Sequence, residues 1–495
     1  MTDKSNNFEN FLKQTDSANV VAVVETLTAD LLTPLAVYLK LSRNAKHSFL
    51  LESVEGGESL GRYSFIGANP EMIVGGNDAQ TFVLKNTETT TFEISLFDFL
   101  RNYFAGKKIG DVADSPAFGG GAIGFFGFSC AGWFEKTIKQ TSAEVEDAKL
   151  MFFRHVVAFD HAKQIIKIIA LVFTDEAETD AELKNLYENA VAENAKLKEI
   201  LENQPIQIPN FKFQIPSSRS VESNWKREDF ENAVREIKEL ISAGECYQVV
   251  LSQCFTRKTN ADDVSIYRAL RSLNPSPYMF LLKIGEQSII GASPEMLVRC
   301  VDQKLEYRPI AGTRKRGATV EEDEFLAEEM QCDAKEVAEH LMLVDLGRND
   351  LGRVAKFGSV KVENLMSVEK YSHVQHLVSY LHADLRDEFD CFDALAACFP
   401  AGTVSGAPKV RAIEIIQKLE PTKRGIYSGA VGYIDYSGNL DVCIAIRTLV
   451  LENGAARIQA GAGIVADSVP ELEFEETVSK AQALLRTIEI AEGAA

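Results

Sequence analysis

The sequence lacks any long hydrophobic run, and it carries less positive than negative charge. No stretch of about 18 consecutive apolar residues occurs among the 495, so no membrane-spanning helix is expected. Acidic residues exceed basic ones by 72 to 52, and the net charge of −20 disfavours binding to nucleic acid or to anionic membranes. A small anionic substrate would therefore need local basic groups or a metal ion at its site.

The chain also lacks paired cysteines and a secretory leader. Its eight cysteines are scattered, and none forms a C-x-x-C motif. Zinc sites of the usual spacing are therefore not expected, and the thiols are predicted to be reduced and mostly buried. The polar N-terminus has no apolar signal-peptide core, which predicts a cytoplasmic protein.

The local patterns divide the chain into two regions. A charged helix predicted over 176–202 is followed by a stretch with several prolines and no periodicity, 203–218. We place the boundary there, between an N-terminal region, 1–202, and a C-terminal region, 219–495. Consecutive hairpins with few βαβ units predict an α+β fold with antiparallel sheets.

Several elements are predicted from periodicity in the C-terminal region and shortly before the boundary. The list comprises helices over 227–243, 321–346 and 409–419, strands over 246–253 and 374–380, a hairpin of 151–160 with 164–173, and a meander over 427–465. The meander is predicted to contain a single strand over 443–451.

A glycine turn near the C-terminus is predicted to precede a helix with Ser468 as its N-cap and Pro470 in its first turn. On that helix Glu473, Glu476 and Lys480 share one face. The glycines would free backbone N–H groups for an anion, and the two carboxylates could hold a hard cation. A turn followed by a solvated acidic helix face fits the same residues.

A second pair of glutamates, Glu336 and Glu339, shares a face of the helix predicted over 321–346. If this helix met the C-terminal one, four carboxylates would converge, and their repulsion would raise their pKa values unless a cation joined them. Mg²⁺ would accept one or two of them and leave positions for a substrate oxygen. A solvated face, with Lys335 or Lys480 as ion-pair partner, is the alternative for either pair.

Three further positions could carry chemistry. Thr403 lies in a loop before the helix at 409–419 and could bind an oxyanion with the loop amides, although the loop also fits an ordinary turn. Arg447 lies within the apolar strand predicted over 443–451 and needs a carboxylate partner, from the protein or from a ligand. His373 and His376 would face opposite sides of a strand, so no shared metal site is expected, and either a catalytic or a core histidine fits.

Ten short stretches, taken in order, carry a family resemblance: 50–53, 62–67, 247–253, 274–279, 291–295, 308–313, 345–350, 373–376, 399–409 and 459–481. Together they resemble the chorismate-utilising enzymes, and most closely the large subunits (component I) of anthranilate synthases. They cover nearly the whole chain beyond residue 50. The resemblance implies two antiparallel sheets packed as a sandwich-like core flanked by helices.

The resemblance also implies roles for the glutamates. Glu339 and Glu476 would hold Mg²⁺, with Glu336 and Glu473 acting directly or through water, and the ion would clamp the ring carboxylate of chorismate. Glu295 would be the acid that protonates the departing C4 hydroxyl.

The remaining site residues follow from the same family. Tyr433, Arg447 and the backbone amides around Gly461, Ala462 and Gly463 would bind the enolpyruvyl carboxylate. Thr403 and Lys480 would line the site. His376 would lie beside the ring and serve the elimination of pyruvate.

Two positions discriminate within the family. Relatives that add water carry a lysine base where this chain has Gln248, and aminodeoxychorismate synthases carry a lysine where it has Ala311. Both differences favour ammonia as the nucleophile and anthranilate as the product. Aminodeoxychorismate synthase component I and a non-catalytic tryptophan-binding protein of the same fold are the alternatives.

The sequence contains no glutaminase segment. A separate glutamine amidotransferase subunit is therefore implied as the source of ammonia, in an expected heterotetramer of two large and two small subunits.

The resemblance further implies an allosteric tryptophan pocket. Its predicted residues are Leu51, Glu52, Ser53, Asn274, Pro275, Pro277, Tyr278 and Met279. Their patterns alone would indicate only a plain strand and a plain turn. The stretch 125–130 departs from the family, whose members usually have a tyrosine and an acidic residue there, and this puts local packing or subunit contacts in question.

Overall fold

A computed structural model describes residues 7–53, 61–110, 116–138, 147–207, 220–371 and 374–493. Most of the predicted connector and His373 lie outside these ranges. Within them the strands form two sheets of twelve strands each, and all the strand pairs are antiparallel. Strands and helices are numbered below in chain order.

The first sheet, sheet I, contains strands from both ends of the chain. Its order is β1 (Val20–Thr28), β10 (Ile165–Phe173), β9 (His155–Asp160), β3 (Tyr63–Ala68), β2 (His47–Glu52), β13 (Tyr278–Ile284), β14 (Gln287–Ser293), β23 (Thr448–Glu452), β24 (Ala455–Ile464), β12 (Gln248–Lys258) and β11 (Val221–Ser223). The short strand β20 (Gly406–Ala407) also pairs with β12.

Sheet II is built in the same way. Its order is β17 (Ile310–Lys315), β19 (Val374–Asp384), β16 (Lys304–Tyr307), β15 (Met296–Val301), β22 (Leu440–Ile444), β21 (Ala430–Asp435), β7 (Gly121–Phe126), β8 (Ala148–Phe153), β4 (Met72–Gly76), β5 (Thr81–Lys85) and β6 (Glu88–Phe92). Strand β18 (Lys361–Lys370) pairs with β19.

The helices of the described ranges accompany these sheets. They are α1 (Phe8–Thr15), α2 (Pro34–Leu41), α3 (Leu96–Phe104), α4 (Ala131–Phe134), α5 (Asp180–Asn203), α6 (Arg227–Ser242), α7 (Asp263–Leu273), α8 (Val320–Cys332), α9 (Ala334–Gly352), α10 (Cys391–Cys398), α11 (Lys409–Leu419) and α12 (Pro470–Ala491). Short 3₁₀ turns occupy Phe128–Cys130, Thr174–Glu176 and Gly402–Val404. None of these helices is long and apolar enough to cross a membrane.

The two sheets face each other across one large hydrophobic core. Phe49 on β2 of sheet I meets Phe153 on β8 of sheet II with ring centroids 4.7 Å apart. A second core lies on the outer face of sheet I, where buried side chains such as Tyr38 of α2 and Leu484 of α12 cover the strands. The predicted α+β sandwich with flanking helices is therefore confirmed.

Both sheets mix strands from the two sides of the predicted boundary. Leu50 of β2 lies opposite Leu281 of β13, and Ile123 of β7 lies opposite Tyr433 of β21. Neither region closes a sheet of its own. The division at 203–218 therefore stays a prediction about roles, and it does not separate two independent sheets.

The helix predicted over 321–346 is wrong in one respect, because it is two helices. Asp333 ends α8 and caps α9, where its carboxylate accepts the backbone N–H groups of Lys335 (2.9 Å) and Glu336 (3.2 Å). An acid that satisfies free N–H groups in this way favours a new helix start over continuation. Glu336 consequently lies in the first turn of α9.

The meander predicted over 427–465 divides between the sheets. Strands β21 and β22 belong to sheet II, whereas β23 and β24 belong to sheet I. The chain crosses at residues 445–447, and Arg447 has a positive φ of 48°. Arg447 therefore lies between two strands and not in the middle of one, as the pattern predicted.

Two other boundaries differ from the predictions. The hairpin of β9 with β10 is confirmed, but residues 151–153 belong to β8 in the other sheet. Val469, not Ser468, occupies the N-cap of α12, because the Ser468 hydroxyl instead accepts the N–H of Val465 at 3.0 Å.

The eight cysteines are all free thiols, and six of them are buried, as the sequence predicted. In the stretch that departs from the family, Phe125, Phe126 and Phe128 are all buried in the core between the sheets. This stretch therefore contributes packing within one chain.

We expect residues 220–495, produced alone, to show no cooperative thermal unfolding, because β2, β3 and β7 would be missing from the middle of both sheets. Circular dichroism during heating measures this, with the whole chain as the cooperative reference. Co-expression of 1–207 with 220–495 should restore a transition. A cooperative transition of the isolated fragment would contradict the shared-sheet architecture.

Candidate active site

A cleft of about 1080 Å³ opens where ends of strands from both sheets meet α9 and α12. This volume is near the upper end for small-molecule sites, which span roughly 300–1,000 Å³. The predicted site residues that line it are Gln248, Asn274, Pro275, Glu295, Glu339, His376, Thr403, Arg447, Gly461, Gly463, Glu473, Glu476 and Lys480.

The chain passes between the two sheets at two neighbouring points in this cleft. One crossing contains Glu295, between β14 and β15, and the other contains Arg447, between β22 and β23. Ile444 N–H donates to the Glu295 carbonyl at 3.0 Å, and Ala292 N–H donates to the Arg447 carbonyl at 3.1 Å. These backbone bonds tie the crossings together and place an acid and a guanidinium in the same part of the cleft.

Glu295 is a buried acid at this crossing. Burial raises the pKa of its carboxyl to about 8, although the Thr403 hydroxyl and the charge of Arg447 lower that pKa in part. Its carboxyl group is therefore largely protonated at neutral pH. A protonated carboxyl in a cleft is able to donate a proton to a leaving group.

Arg447 points its side chain into the cleft, where water can reach it. Surrounding protein atoms nevertheless lower its pKa by desolvation, and the charge of Glu295 opposes that shift. No carboxylate of the described residues lies within ion-pair distance of its guanidinium. The described residues therefore supply no carboxylate partner for Arg447, and the carboxylate of a ligand could accept hydrogen bonds from its guanidinium.

His376 of β19 is held in one orientation by the adjacent strand. Its Nδ1 lies 2.8 Å from the Gly312 carbonyl and 3.1 Å from the Thr313 hydroxyl. A carbonyl only accepts, so Nδ1 carries the proton and Nε2 is left as the acceptor. Burial lowers the pKa of His376, which keeps the ring neutral and suited to accept a proton.

Three of the four predicted metal ligands line the cleft: Glu339 on α9, and Glu473 and Glu476 on α12. Burial first, and then the neighbouring acids, raise the pKa values of Glu339 and Glu473. A divalent cation would relieve this repulsion, and an all-oxygen donor set suits Mg²⁺. The acids that face the cleft therefore fit the metal that the family implies.

Two contacts keep these acids from forming a finished metal site. Glu336 does not line the cleft, because Arg314 Nη1 donates to its Oε1 at 2.9 Å. Lys480 Nζ pairs with Glu476 Oε1 at 2.7 Å and donates to the Gly461 carbonyl at 3.0 Å. In the part of the chain that the structure describes, no three acidic, His or Cys side chains are close enough to hold an ion as they stand.

The glycines of β24 allow other side chains to reach the cleft. A Cβ on Gly461 would lie 2.8 Å from the Tyr427 hydroxyl, and one on Gly463 would lie 2.6 Å from Gln248 Nε2. Ala462, between them, points the other way and is fully buried in the core. Only its backbone can therefore serve the role that was predicted for it.

The structure corrects the prediction for Tyr433. Its ring packs on Phe118 with centroids 4.7 Å apart in the core between the sheets, and it does not line the cleft. Tyr427, six residues earlier and ahead of β21, lines the cleft instead. No pattern in the sequence separates Tyr427 from Tyr433, and the left-handed φ of 63° at Ser428 is visible only in the structure.

Ala311 also falls outside the lining of the cleft. It lies on β17 opposite Leu377, whereas Thr313, two residues later, lines the cleft. Lys335 and Gln459 also line the cleft. The sequence did not predict this, because nothing in their patterns separates them from ordinary helix and strand positions.

A second, smaller cavity of about 100 Å³ lies between the sheets. The predicted tryptophan-pocket residues that line it are Leu51, Glu52, Ser53, Pro277, Tyr278 and Met279. They meet because β2 and β13 are neighbours, with Glu52 opposite Met279. Asn274 and Pro275 line the large cleft instead, and Tyr433 and Asp441 complete the small cavity.

Asp441 is a second buried acid, at the small cavity. Burial raises its pKa to about 6, which Arg299 and the Tyr278 hydroxyl partly oppose. The Tyr278 hydroxyl donates to it at 3.0 Å. Arg62 and Arg299 line the same cavity, so two guanidiniums balance its two acids. Glu52 already pairs with Arg271 at 3.3 Å, and Asp441 pairs with Arg299 at 3.6 Å.

Known proteins of one family match this chain along nearly its whole length. A family model described as chorismate binding enzyme matches residues 34–486. Anthranilate synthase component 1 of Acetivibrio thermocellus is 44% identical over 95% of this chain and 96% of its own length. The protein of the same name from Pseudomonas aeruginosa is 44% identical over 98% of this chain and 99% of its own.

A solved structure extends the comparison to three dimensions. Anthranilate synthase component I from Streptococcus pneumoniae superposes with a TM-score of 0.75 at 35% identity, covering 93% of this chain and 99% of that one. The chain therefore belongs to the chorismate-binding enzyme family, and within it to the anthranilate synthase component 1 proteins.

Proposed function

We propose that this chain converts chorismate and ammonia into anthranilate, pyruvate and water, as the large component of an anthranilate synthase. The observation that carries the proposal is a protonated buried carboxyl, Glu295, in the same part of a carboxylate-lined cleft as Arg447, whose guanidinium has no ion pair among the described residues. Chorismate has two carboxylates and a hydroxyl leaving group, and each has a counterpart in this set.

The two carboxylates of chorismate would bind at opposite sides of the cleft. Arg447, the Tyr427 hydroxyl and the backbone around Gly461 would hold the enolpyruvyl carboxylate, since a guanidinium recognises a carboxylate through paired hydrogen bonds. Glu339 and Glu476, with Glu473, would hold Mg²⁺, which when bound neutralises the ring carboxylate. The ion pair of Lys480 with Glu476 would open to release this acid.

Two proton transfers would complete the reaction. Glu295 would give its proton to the C4 hydroxyl oxygen as that C–O bond breaks and ammonia adds at C2, a contribution of about 10²- to 10⁴-fold. His376 would then take the proton from C2, so that pyruvate leaves and the ring becomes aromatic. Gln248 is uncharged and cannot activate water as a lysine would, which supports ammonia as the nucleophile.

The source of ammonia would be a glutamine amidotransferase subunit. The relatives carry the name component 1, which implies a second component. We propose an assembly of two large and two small subunits in the cytoplasm. Eight free thiols suit that compartment, because it keeps cysteines reduced.

The small cavity would bind tryptophan as a feedback inhibitor. Its charged lining has both signs, with Asp441 for the ammonium group of an amino acid and Arg62 and Arg299 for the carboxylate, and its apolar wall, with Leu51 and Met279, suits an indole ring. Because the cavity is separate from the cleft, inhibition would act through a change in the balance of two states.

We expect the purified chain to form fluorescent anthranilate from chorismate and ammonium only when Mg²⁺ is present. Glu476→Gln should lower this rate by 10²-fold or more, because a metal ligand is lost. Glu475→Gln is the matched control: that residue pairs with Arg227 at 2.7 Å on another face of α12, and its loss should leave the rate unchanged.

Absence of any Mg²⁺-dependent product from the wild type would contradict the proposed activity. A 4-amino product in place of anthranilate would favour an aminodeoxychorismate synthase. Equal rates for the two glutamine variants would refute the assignment of Glu476 as a ligand.

We expect kcat/KM to fall as the pH rises through about 8, because Glu295 must be protonated to act and its pKa is about 8. In Glu295→Gln the rate should drop by about 10²- to 10⁴-fold, and the alkaline decline should disappear with the titrating group. Pointwise kinetics from neutral to alkaline pH measure both effects. An unchanged alkaline decline in the variant would show that another group causes it.

We expect Ser53→Phe to fill the small cavity, leaving turnover intact but insensitive to tryptophan. Calorimetric titration measures the binding of tryptophan, and kinetics with and without tryptophan measure turnover and its inhibition. Ser437→Phe, at an exposed turn between β21 and β22, is the control and should bind tryptophan normally. Inhibition that persists in Ser53→Phe would count against this cavity as the regulatory site.

A further inference from the structure

Arg424, between α11 and β21, is buried at the back of the cleft with 1% of its side chain exposed. A guanidinium has five N–H donors, and here every one is used. Nε and Nη2 donate to Glu420 at 2.9 and 2.6 Å, and Nη2 also donates to the Val250 carbonyl at 2.7 Å. Nη1 donates to the Val404 carbonyl at 2.8 Å and to the Ser428 hydroxyl at 3.1 Å.

The acceptors of Arg424 belong to separate segments of the cleft wall. Val250 and Val404 line the cleft themselves. Thr403, whose hydroxyl lowers the pKa of Glu295, immediately precedes Val404. Tyr427, another lining residue, immediately precedes the serine that accepts from Arg424. One side chain is thus bonded to three segments that carry cleft residues, and its acceptors in them lie 174, 20 and 4 positions away in sequence.

Glu420 extends the same network to a fourth segment. Its side chain is 4% exposed, and its Oε1 accepts the N–H and the hydroxyl of Ser252 at 2.9 and 2.7 Å. The Ser252 hydroxyl in turn accepts from Gln459 Nε2 at 2.8 Å. Gln459 lies on β24 and lines the cleft. The network therefore connects the Arg424–Glu420 ion pair through β12 to a cleft-lining side chain of β24, and the backbones of these two strands are themselves paired.

Aromatic contacts orient the same group. The guanidinium carbon lies 4.6 Å from the ring centre of Phe128 and 5.5 Å from that of Tyr427. Such contacts add attraction between a cation and a ring face. Ser428 adopts a left-handed φ of 63°, which a serine rarely does, and its bond to Arg424 holds this turn. The turn directs Tyr427 towards Gly461.

We propose that Arg424 is a positioning residue, which sets the placement of Thr403 and Tyr427 through this single guanidinium. Buried ion pairs contribute little net stability, because desolvation offsets their attraction. A fully bonded guanidinium does fix geometry, and a misplacement of about 1 Å can cost about 10²-fold in rate. The kinetic part of this inference rests on the proposed function.

Arg424→Lys tests the proposal. Lysine keeps the charge but has three donors and no planar fork, so it cannot bond to all four partners. We expect kcat for anthranilate formation to fall by about 10²-fold. Because the Thr403 hydroxyl lowers the pKa of Glu295, displacement of Thr403 should also move the alkaline decline to higher pH. A crystal structure of the variant should show Thr403 and Tyr427 displaced.

Arg257→Lys is the matched control. Arg257 is equally buried on β12, with 2% of its side chain exposed, and it donates to Glu489 at 3.3 Å and Glu492 at 2.6 Å. Neither acid lines the cleft. We expect this variant to lose comparable thermal stability and to keep the wild-type kcat and pH profile. Equal losses of kcat in both lysine variants, with no pH shift in either, would overturn the positioning role.

A second pair covers the case in which Arg424→Lys does not fold. Glu420→Gln sets an amide N–H against a donor of Arg424, and Glu492→Gln does the same to Arg257. The same contrast in kcat and pH profile is expected. If the wild type does not act on chorismate, the proposed function fails, but an undisturbed Thr403 and Tyr427 in the Glu420→Gln crystal structure would separately refute positioning.

Discussion

The active-site cleft depends on two crossings of the chain between the sheets, which hydrogen-bond to each other. Glu295 lies in one crossing and Arg447 in the other, and the bonds of Ile444 to Glu295 and of Ala292 to Arg447 join their backbones. A segment between two sheets has no neighbouring strand to pair with on both sides. Its side chains are therefore free to face a cavity while its backbone remains bonded.

This arrangement explains why the two groups have unusual chemistry. Glu295 is desolvated without direct ion pairing, so its pKa rises and it keeps its proton at neutral pH. Arg447 is left without a carboxylate of its own among the described residues, so it retains its capacity to bind one. Had the two formed a salt bridge, the acid would be ionised and the guanidinium occupied. In the proposed function, keeping them near but unpaired would preserve a proton donor and an anion site together.

The sequence predicted the fold class and much of the cleft lining, because hairpin periodicity and family motifs can both be recognised in short stretches of sequence. It failed where the outcome depends on contacts between distant segments. Arg447 was assigned to a strand because apolar residues flank it on both sides. Nothing in the local sequence marks the crossing, and the positive φ of Arg447 is visible only in the structure. Tyr433 and Tyr427 are both tyrosines near glycines, and only the structure shows that Tyr433 on β21 lies in the core whereas Tyr427, ahead of that strand, lines the cleft.

The proposed metal site also depends on contacts that the sequence does not show. Spacing within each helix predicted two pairs of glutamates, but it could not show that Asp333 starts a new helix or that Arg314 binds Glu336, which does not line the cleft. The proposed positioning role of Arg424 could not be predicted from the sequence either, since its hydrogen-bond partners are spread over more than 170 positions of the chain. Such long-range bonds are visible only once the strands are in register.

The orientation of the substrate between the two crossings and the acidic helices is the central claim, and diffraction tests it directly. Crystals of Glu295→Gln soaked with chorismate and Mn²⁺ would report the metal through its anomalous signal. We predict a peak beside Glu339, Glu473 and Glu476 at the ring carboxylate, with the enolpyruvyl carboxylate on Arg447. Chorismate bound in the reverse orientation, or a metal peak away from these glutamates, would contradict the account.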